Sequence, residues 1–209
     1  RRLYPFNNLA SYVIGFTNDE NVGQYGIEAS YDEELTGISG KNVSLKDNAS
    51  NKIPLTDEET YAPKEGYSIV LSIDSNIQQF AETAAINAKK EHDADKVSVI
   101  VQDTITGEIL AMTTKDDYNL NNPKSPINDK QEEEWDKLDN DEKMEVLYSN
   151  WRDFNVNDQY EPGSTFKLIT AAAAIEQNTS QPDSQYTCAG TMKVGDRKLT
   201  CTSVTRGSK

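Results

Sequence analysis

The chain has 209 residues, with 35 acidic against 21 basic side chains, a formal net charge of -14 and a pI near 4.5. That length can bury a real core in one domain plus a smaller partner, and a field of that sign repels phosphate, which excludes nucleic acid and anionic lipid headgroups as favoured partners. Hydrophobic residues make up 35% and mean hydropathy is -0.74, so part of the chain is expected to be loop-like and well solvated.

In chain order, residues 1 to 66 are rich in Gly, Asn, Asp and Ser with short apolar alternations, a composition that predicts short strands and turns. The opening Arg1-Arg2-Leu3-Tyr4-Pro5 lacks the apolar run and small-residue cleavage site of a signal peptide, so any export signal or anchor is expected outside this sequence. At Tyr67 the character changes: Tyr67–Ile73 is β-branched and reads as a strand, which places a domain boundary near residue 66. Asp74 then suits an N-cap, and Ile77, Phe80, Ala81, Ala84, Ala85 and Ala88 recur at the spacing of one helical face, giving a helix to about Glu91. Val97–Gln102 and Glu108–Thr114, joined by the Gly-containing turn Asp103-Thr104-Ile105-Thr106-Gly107, predict an antiparallel hairpin.

Residues 115–150 read as an acidic insert, a solvated and mobile lobe with a helical pattern around Trp135, Leu138 and Leu147. From Pro162 a second helix is expected, with Phe166, Ile169, Thr170, Ala173 and Ala174 on one face; its alanines favour close packing, so it is expected to be buried. Met192–Val194 and Lys198–Thr200 predict a small hairpin with Cys188 and Cys201 towards its ends. Two cysteines can form a disulfide, stay as structural thiols, or supply half of a zinc site; the single histidine, His92, lies far upstream of both.

Ser164-Thr165-Phe166-Lys167 is an S-x-x-K tetrad, and the composition alone yields about one such match by chance. Its setting adds information. Pro162 presets the start of a helix, Gly163 permits close approach of another chain, and Ser164 and Lys167 at i and i+3 share a helix face with Cβ atoms about 5 to 6 Å apart. A serine nucleophile needs a base, and a lysine serves as one only while neutral, which requires burial or a second cation nearby. From the residues alone a second reading stays open, with Ser164 an N-cap on the Lys167 N–H and Lys167 a surface charge.

Tyr160-Glu161-Pro162-Gly163-Ser164-Thr165-Phe166-Lys167, together with Asp103-Thr104-x-Thr106-Gly107-Glu108-Ile109-Leu110-Ala111-Met112, resembles the class B penicillin-binding proteins, monofunctional serine transpeptidases of peptidoglycan synthesis. Arg2-x-Tyr4-Pro5, Gly15-Phe16, Gly26-Ile27-Glu28, Tyr31-Asp32 and Leu35-x-Gly37-x-x-Gly40 resemble the end of that family's non-catalytic pedestal, and Leu71-x-Ile73-Asp74-x-x-Ile77-Gln78 the start of its transpeptidase domain. The resemblance implies an α+β fold: a β-rich pedestal segment over residues 1–66, then the N-terminal part of a transpeptidase sheet with helices over 67–209. It also implies that Ser164 is the acylated nucleophile and Lys167 its base, with Gly163 and Thr165 contacting substrate and Arg2 and Glu28 forming a structural ion pair.

The implied substrate is a D-Ala-D-Ala stem peptide, with β-lactams acylating the same serine and no cofactor required. A partner glycosyltransferase, division or sporulation proteins and a place on the extracytoplasmic face of the membrane are implied as well, since the paired Cys and Asn/Lys/Asp-rich usage resemble division and spore-cortex members of Gram-positive spore-formers. Two departures qualify the likeness. The S-x-N and K-[ST]-G motifs that complete the family's site do not occur in residues 1–209, and Asp153 follows Trp151-Arg152 where many members have Asn. A β-lactam sensor that acylates without transfer, or a pedestal and interaction fragment, are the alternative classes.

Overall fold

The computed structural model describes residues 2–43 and 59–201. The chain divides into two compact units, Arg1–Asp158 and Gln159–Lys209.

The first unit opens with three short helices, α1 (Ser11–Ile14), α2 (Gly26–Ser30) and α3 (Asp32–Leu35), followed by the antiparallel pair β1 (Lys41–Val43) and β2 (Glu59–Tyr61). Among its described residues, the stretch expected to be rich in strands is a mixture of helical turns, one small ladder and the isolated bridges Thr17–Gly23 and Ile38–Lys64. The helices are short because the backbone reverses at glycine. Gly15 ends α1 at φ 73° and ψ -168°, a region open essentially to glycine alone, and a Cβ added there would lie 1.7 Å from the carbonyl oxygen of Tyr25. Gly26 packs back against Gly15, also at positive φ, so the two glycines of the Gly15-Phe16 and Gly26-Ile27 motifs permit one close backbone crossing.

Helix α4 (Ser75–His92) begins where its cap predicts: the Asp74 carboxylate accepts the N–H groups of Asn76 and Ile77. Helix α4 lies on the antiparallel hairpin of β3 (Val97–Gln102) and β4 (Ile109–Lys115), whose register runs from Val97 opposite Lys115 to a bulge at Val101/Gln102. The buried face of α4 is Gln78, Ala81 and Ala85, while Phe80 is 77% exposed and Ala84 is also exposed. The expected apolar stripe is therefore wider than the sheet that covers it here.

Tyr67–Ile73, expected as a strand, belongs to no ladder among the described residues. The end of this segment touches β4 through the Ser72 hydroxyl to the Ile109 carbonyl and the Asp74 N–H to the Leu110 carbonyl.

Beyond β4 come α5 (Asp129–Trp135), α6 (Asn140–Trp151) and α7 (Phe154–Asn157). Asp139 and Glu142 form a reciprocal capping box that starts α6. The core of the unit is a cluster of Phe16, Tyr118, Leu120, Leu147 and Trp151. Four of these five come from 115–151, so this stretch is not a solvated lobe over its length: its acidic helix faces look outward while a few large residues anchor it against Phe16. The cluster joins residues on both sides of position 66. The Tyr118 hydroxyl reaches back to the Ser11 carbonyl at 3.0 Å, and the Trp151 indole N–H donates to the Pro123 carbonyl at 2.8 Å.

In the second unit a 3-10 turn, Gly163–Thr165, runs into α8 (Phe166–Glu176), and β5 (Thr191–Val194) pairs with β6 (Arg197–Thr200). The hairpin forms as predicted, with Arg197 already paired to Val194, so its loop is Gly195-Asp196. Helix α8 forms too, but none of its residues is buried, and Phe166, Leu168 and Ile169 are exposed by half or more. Within the described residues the expected burial of α8 is not seen, and the short hairpin of this unit is itself exposed along both strands.

Candidate active-site segment

Pro162 sits at φ -72°, as its ring requires, and Gly163 turns the chain at φ 53° before Ser164. A Cβ at Gly163 would meet nothing within 4 Å. The glycine suits this turn through its positive φ, which side chains rarely adopt. The Thr165 hydroxyl donates to the Pro162 carbonyl at 2.5 Å, closing the turn on itself and leaving Thr165 engaged with its own backbone.

Ser164 and Lys167 fall on one continuous helical turn, three residues apart, where side chains are neighbours on a common face. Both are exposed, and neither side chain makes a hydrogen bond among the described residues. In particular, the Ser164 hydroxyl does not cap the turn, so the reading of it as an N-cap has no hydrogen bond behind it. Its N–H belongs to the opening turn, whose donors have no partner within a helix, and α8 directs its positive end towards this point.

Cys188 and Cys201 flank the β5–β6 hairpin; the Cys201 N–H donates to the Gly190 carbonyl at 2.8 Å. Both cysteines line a shallow hollow of about 530 Å³ with Met192 and Leu199. No cluster of three or more metal-ligating side chains occurs among the described residues.

In the first unit Arg2 Nε pairs with Glu28 Oε2 at 3.1 Å, and the Tyr4 hydroxyl donates to the other oxygen of Glu28 at 3.4 Å. Glu28 is only 7% exposed, so the pair is a fixed strut on α2. Burial and the Glu28 charge hold the Tyr4 phenol above its ordinary pKa, which keeps it a neutral donor. Tyr12 and Tyr118 are pushed up further, chiefly by burial, with the neighbouring Asp117 charge adding at Tyr12 and the Tyr12 phenol at Tyr118. The departure at Asp153 has a local role of its own: its carboxylate caps α7 by accepting the Asn155 N–H, and Arg152 turns away to Asp158 at 3.2 Å.

Two features escaped the sequence. Gln78 is wholly buried and clamps the backbone of Met112 from both sides. The aromatic group of Phe16, Tyr25, Tyr148 and Trp151 forms one packed assembly, with ring centroids 5.1 to 5.8 Å apart. The i and i+3 placement of Tyr148 and Trp151 was the available signal for it.

The segment lies within a region that known proteins match. Residues 97–209 match the penicillin binding protein transpeptidase domain, and residues 1–71 match the penicillin-binding protein dimerisation domain. Stage V sporulation protein D of Bacillus subtilis is 31% identical over 201 residues, 96% of this chain and 28% of that protein. A probable peptidoglycan D,D-transpeptidase of Neisseria meningitidis is 34% identical over 177 residues, 84% of this chain and 27% of that protein. The crystal structure of penicillin binding protein 2X from Streptococcus thermophilus, 27% identical, superposes over 99% of this chain and 29% of that one with a TM-score of 0.66. The chain thus spans less than a third of the length of these relatives. With its two matched regions in the order that the family has them, the chain belongs to the penicillin-binding protein transpeptidases.

Proposed function

We propose that this chain carries the nucleophile-bearing part of a peptidoglycan D,D-transpeptidase, with Ser164 as nucleophile and Lys167 as its base. Residues 1–66 serve as the end of the pedestal and 67–209 as the start of the transpeptidase domain. The observation that carries the reading is the placement of Ser164 and Lys167 on the first turn leading into α8, inside a region matching the transpeptidase domain.

The chemistry follows from those two groups. The Ser164 oxygen attacks the carbonyl between the last two D-alanines of a stem peptide while Lys167 takes the hydroxyl proton. The C–N bond breaks, the departing D-Ala amine receives that proton, and an ester to Ser164 remains. An amine of a neighbouring strand then attacks the ester, restoring the hydroxyl and forming the cross-link. The Ser164 N–H and the positive end of α8 favour the oxyanion in both steps. A β-lactam opens on the same oxygen but has no separate leaving group to diffuse away, so the ester persists. No step calls for a cofactor.

Lys167 must be neutral to act, which calls for burial or a second cation nearby. In the family that the sequence resembles, a second cation and a closed cleft come from the K-[ST]-G and S-x-N motifs, neither of which occurs in residues 1–209. The substrate places the enzyme on the extracytoplasmic face of the membrane, with a glycosyltransferase and division or sporulation proteins as partners.

The test is covalent labelling by fluorescent penicillin in cells making the protein at its natural length. Ser164→Ala is expected to abolish the labelled band and Lys167→Ala to slow labelling by about 10²-fold or more. Undiminished labelling of Ser164→Ala would remove the assigned nucleophile.

A further inference from the structure

We infer that the first unit holds a saccharide-binding cavity, separate in sequence from the Ser164 segment, that takes a chain of N-acetylated pyranose sugars. This rests on the reading of the protein as a peptidoglycan enzyme, whose polymer presents such sugars. The cavity has a volume of about 490 Å³, within the range of small-molecule sites and large enough for two sugar rings. Part of its wall is aromatic: Tyr25 and Tyr148 each pack against Trp151, at 5.3 and 5.8 Å between ring centroids.

Rings held in that way present rigid apolar faces edged with polar groups, the surface that the C–H face of a pyranose can stack on. Trp151 is anchored by its indole bond to Pro123 and is buried, so the wall does not need ordering when a ligand arrives. Tyr148 lines the cavity and is 56% exposed.

The polar groups fit the same class. Asn122 and the Lys124 ammonium line the cavity and make no side-chain hydrogen bond among the described residues, and neither do the phenols of Tyr25 and Tyr148. Asn18 spends its carbonyl on the backbone N–H groups of Glu20 and Val22, which leaves its amide NH2 to donate. These donors and acceptors match hydroxyl and acetamido groups, and the ammonium suits a sugar that bears a carboxylate. An extended peptide is the poorer fit, since such a ligand adds to a strand edge and no strand of the described residues lines this cavity.

The experiment is saturation-transfer NMR on the protein at its natural length, using the β-1,4-linked tetramer of N-acetylglucosamine, with a D-Ala-D-Ala pentapeptide as the contrasting probe. The acetyl and ring protons of the tetramer are expected to receive saturation. Tyr148→Ala is expected to weaken binding at least tenfold, Tyr148→Phe to retain most of it, and Asn122→Ala to weaken it severalfold. The thermal unfolding midpoint of each variant confirms that the unit is folded. Fluorescent-penicillin labelling should stay normal in all three, because it reports Ser164 and not the cavity. No transfer to the tetramer, transfer unchanged by both alanine variants, or the pentapeptide alone losing signal with Tyr148→Ala would each overturn the proposal while leaving the labelling result to judge Ser164.

Discussion

Gln78 and Met112 face each other as if across a strand pair: the Gln78 amide donates to the Met112 carbonyl at 3.0 Å, and the Met112 N–H donates to the Gln78 carbonyl at 2.9 Å. A single side chain on α4 thus satisfies both backbone groups of a residue in β4 and fixes the helix along the hairpin. The same amide also reaches Glu82 at 2.8 Å, whose carboxylate holds the Ala10 N–H at 2.9 Å, so one chain of bonds ties α1 to α4 and the sheet.

Replacing Gln78 by Leu keeps the volume and removes both partners. Two backbone groups then lose their bonds beside a fully buried side chain, and the expected loss is about 2 to 4 kcal/mol. Denaturant titration of the variant gives the number. A loss below about 0.5 kcal/mol would mean that water replaces the side chain and that the clamp is incidental.

Gly15 and Gly26 make the second rigid contact. Gly15→Ala places a methyl group against the Tyr25 carbonyl at a φ that L residues rarely adopt, and the backbone cannot move without parting α1 from α2. The strained angle alone costs on the order of 1 to 3 kcal/mol, and the overlap adds to it. Gly107→Ala is the control, since it shares a positive φ but has only the far end of Gln102 within 4 Å. Thermal unfolding should show a clearly larger drop for Gly15→Ala than for Gly107→Ala; equal drops would show that backbone angle and not crowding selects glycine at position 15.

Helix α4 and the β3–β4 hairpin were legible because local signals agree with tertiary structure there: Asp74 caps, Gly107 turns, and β-branched residues fill the strands. Gln78 was hidden because a glutamine on a helix looks solvated until the partner backbone is known. Tyr118 and Trp151 were hidden for the opposite reason, since acidic neighbours lower the average hydropathy of a stretch that needs only a few large anchors. Among the described residues, Tyr67–Ile73 and α8 show propensity without a ladder or a buried face. Extended or helical preference is local, whereas a ladder or a buried face needs a second surface, and sequence periodicity carries no record of which surface that is.

Trp151 tests the core directly. It touches Phe16, Tyr25 and Tyr148 and donates to the Pro123 carbonyl, so Trp151→Ala removes ring packing and leaves a void and an unmet carbonyl. The expected cost is about 3 to 5 kcal/mol. Trp151→Phe retains most of the packing and should cost less than half as much. If the two variants unfold alike, the indole hydrogen bond, and not the volume of the ring, holds the loop around Pro123.

Asp103 gives the pH dependence a location. Its carboxylate accepts the N–H groups of Thr106 at 2.9 Å and Ile105 at 2.7 Å within the β3–β4 turn, and these bonds, Thr106 first, hold its pKa below the ordinary aspartate value. A depressed carboxylate favours the folded turn while it is ionised, so its contribution is complete above the ordinary pKa of about 3.8 and fades as pH falls through the lowered value. Neutral pH therefore shows no change, and the loss is confined to the acid limb. In an NMR titration the Asp103 carboxyl should protonate later than an unstructured aspartate, and the Ile105 and Thr106 amides should shift with it. Asp103→Asn, which still accepts through its carbonyl but does not ionise, should remove that acid transition from both amides. Persistence of the same transition in Asp103→Asn would assign it to another carboxyl, with Glu108, bonded to the Thr106 hydroxyl at 3.0 Å, the next group in reach.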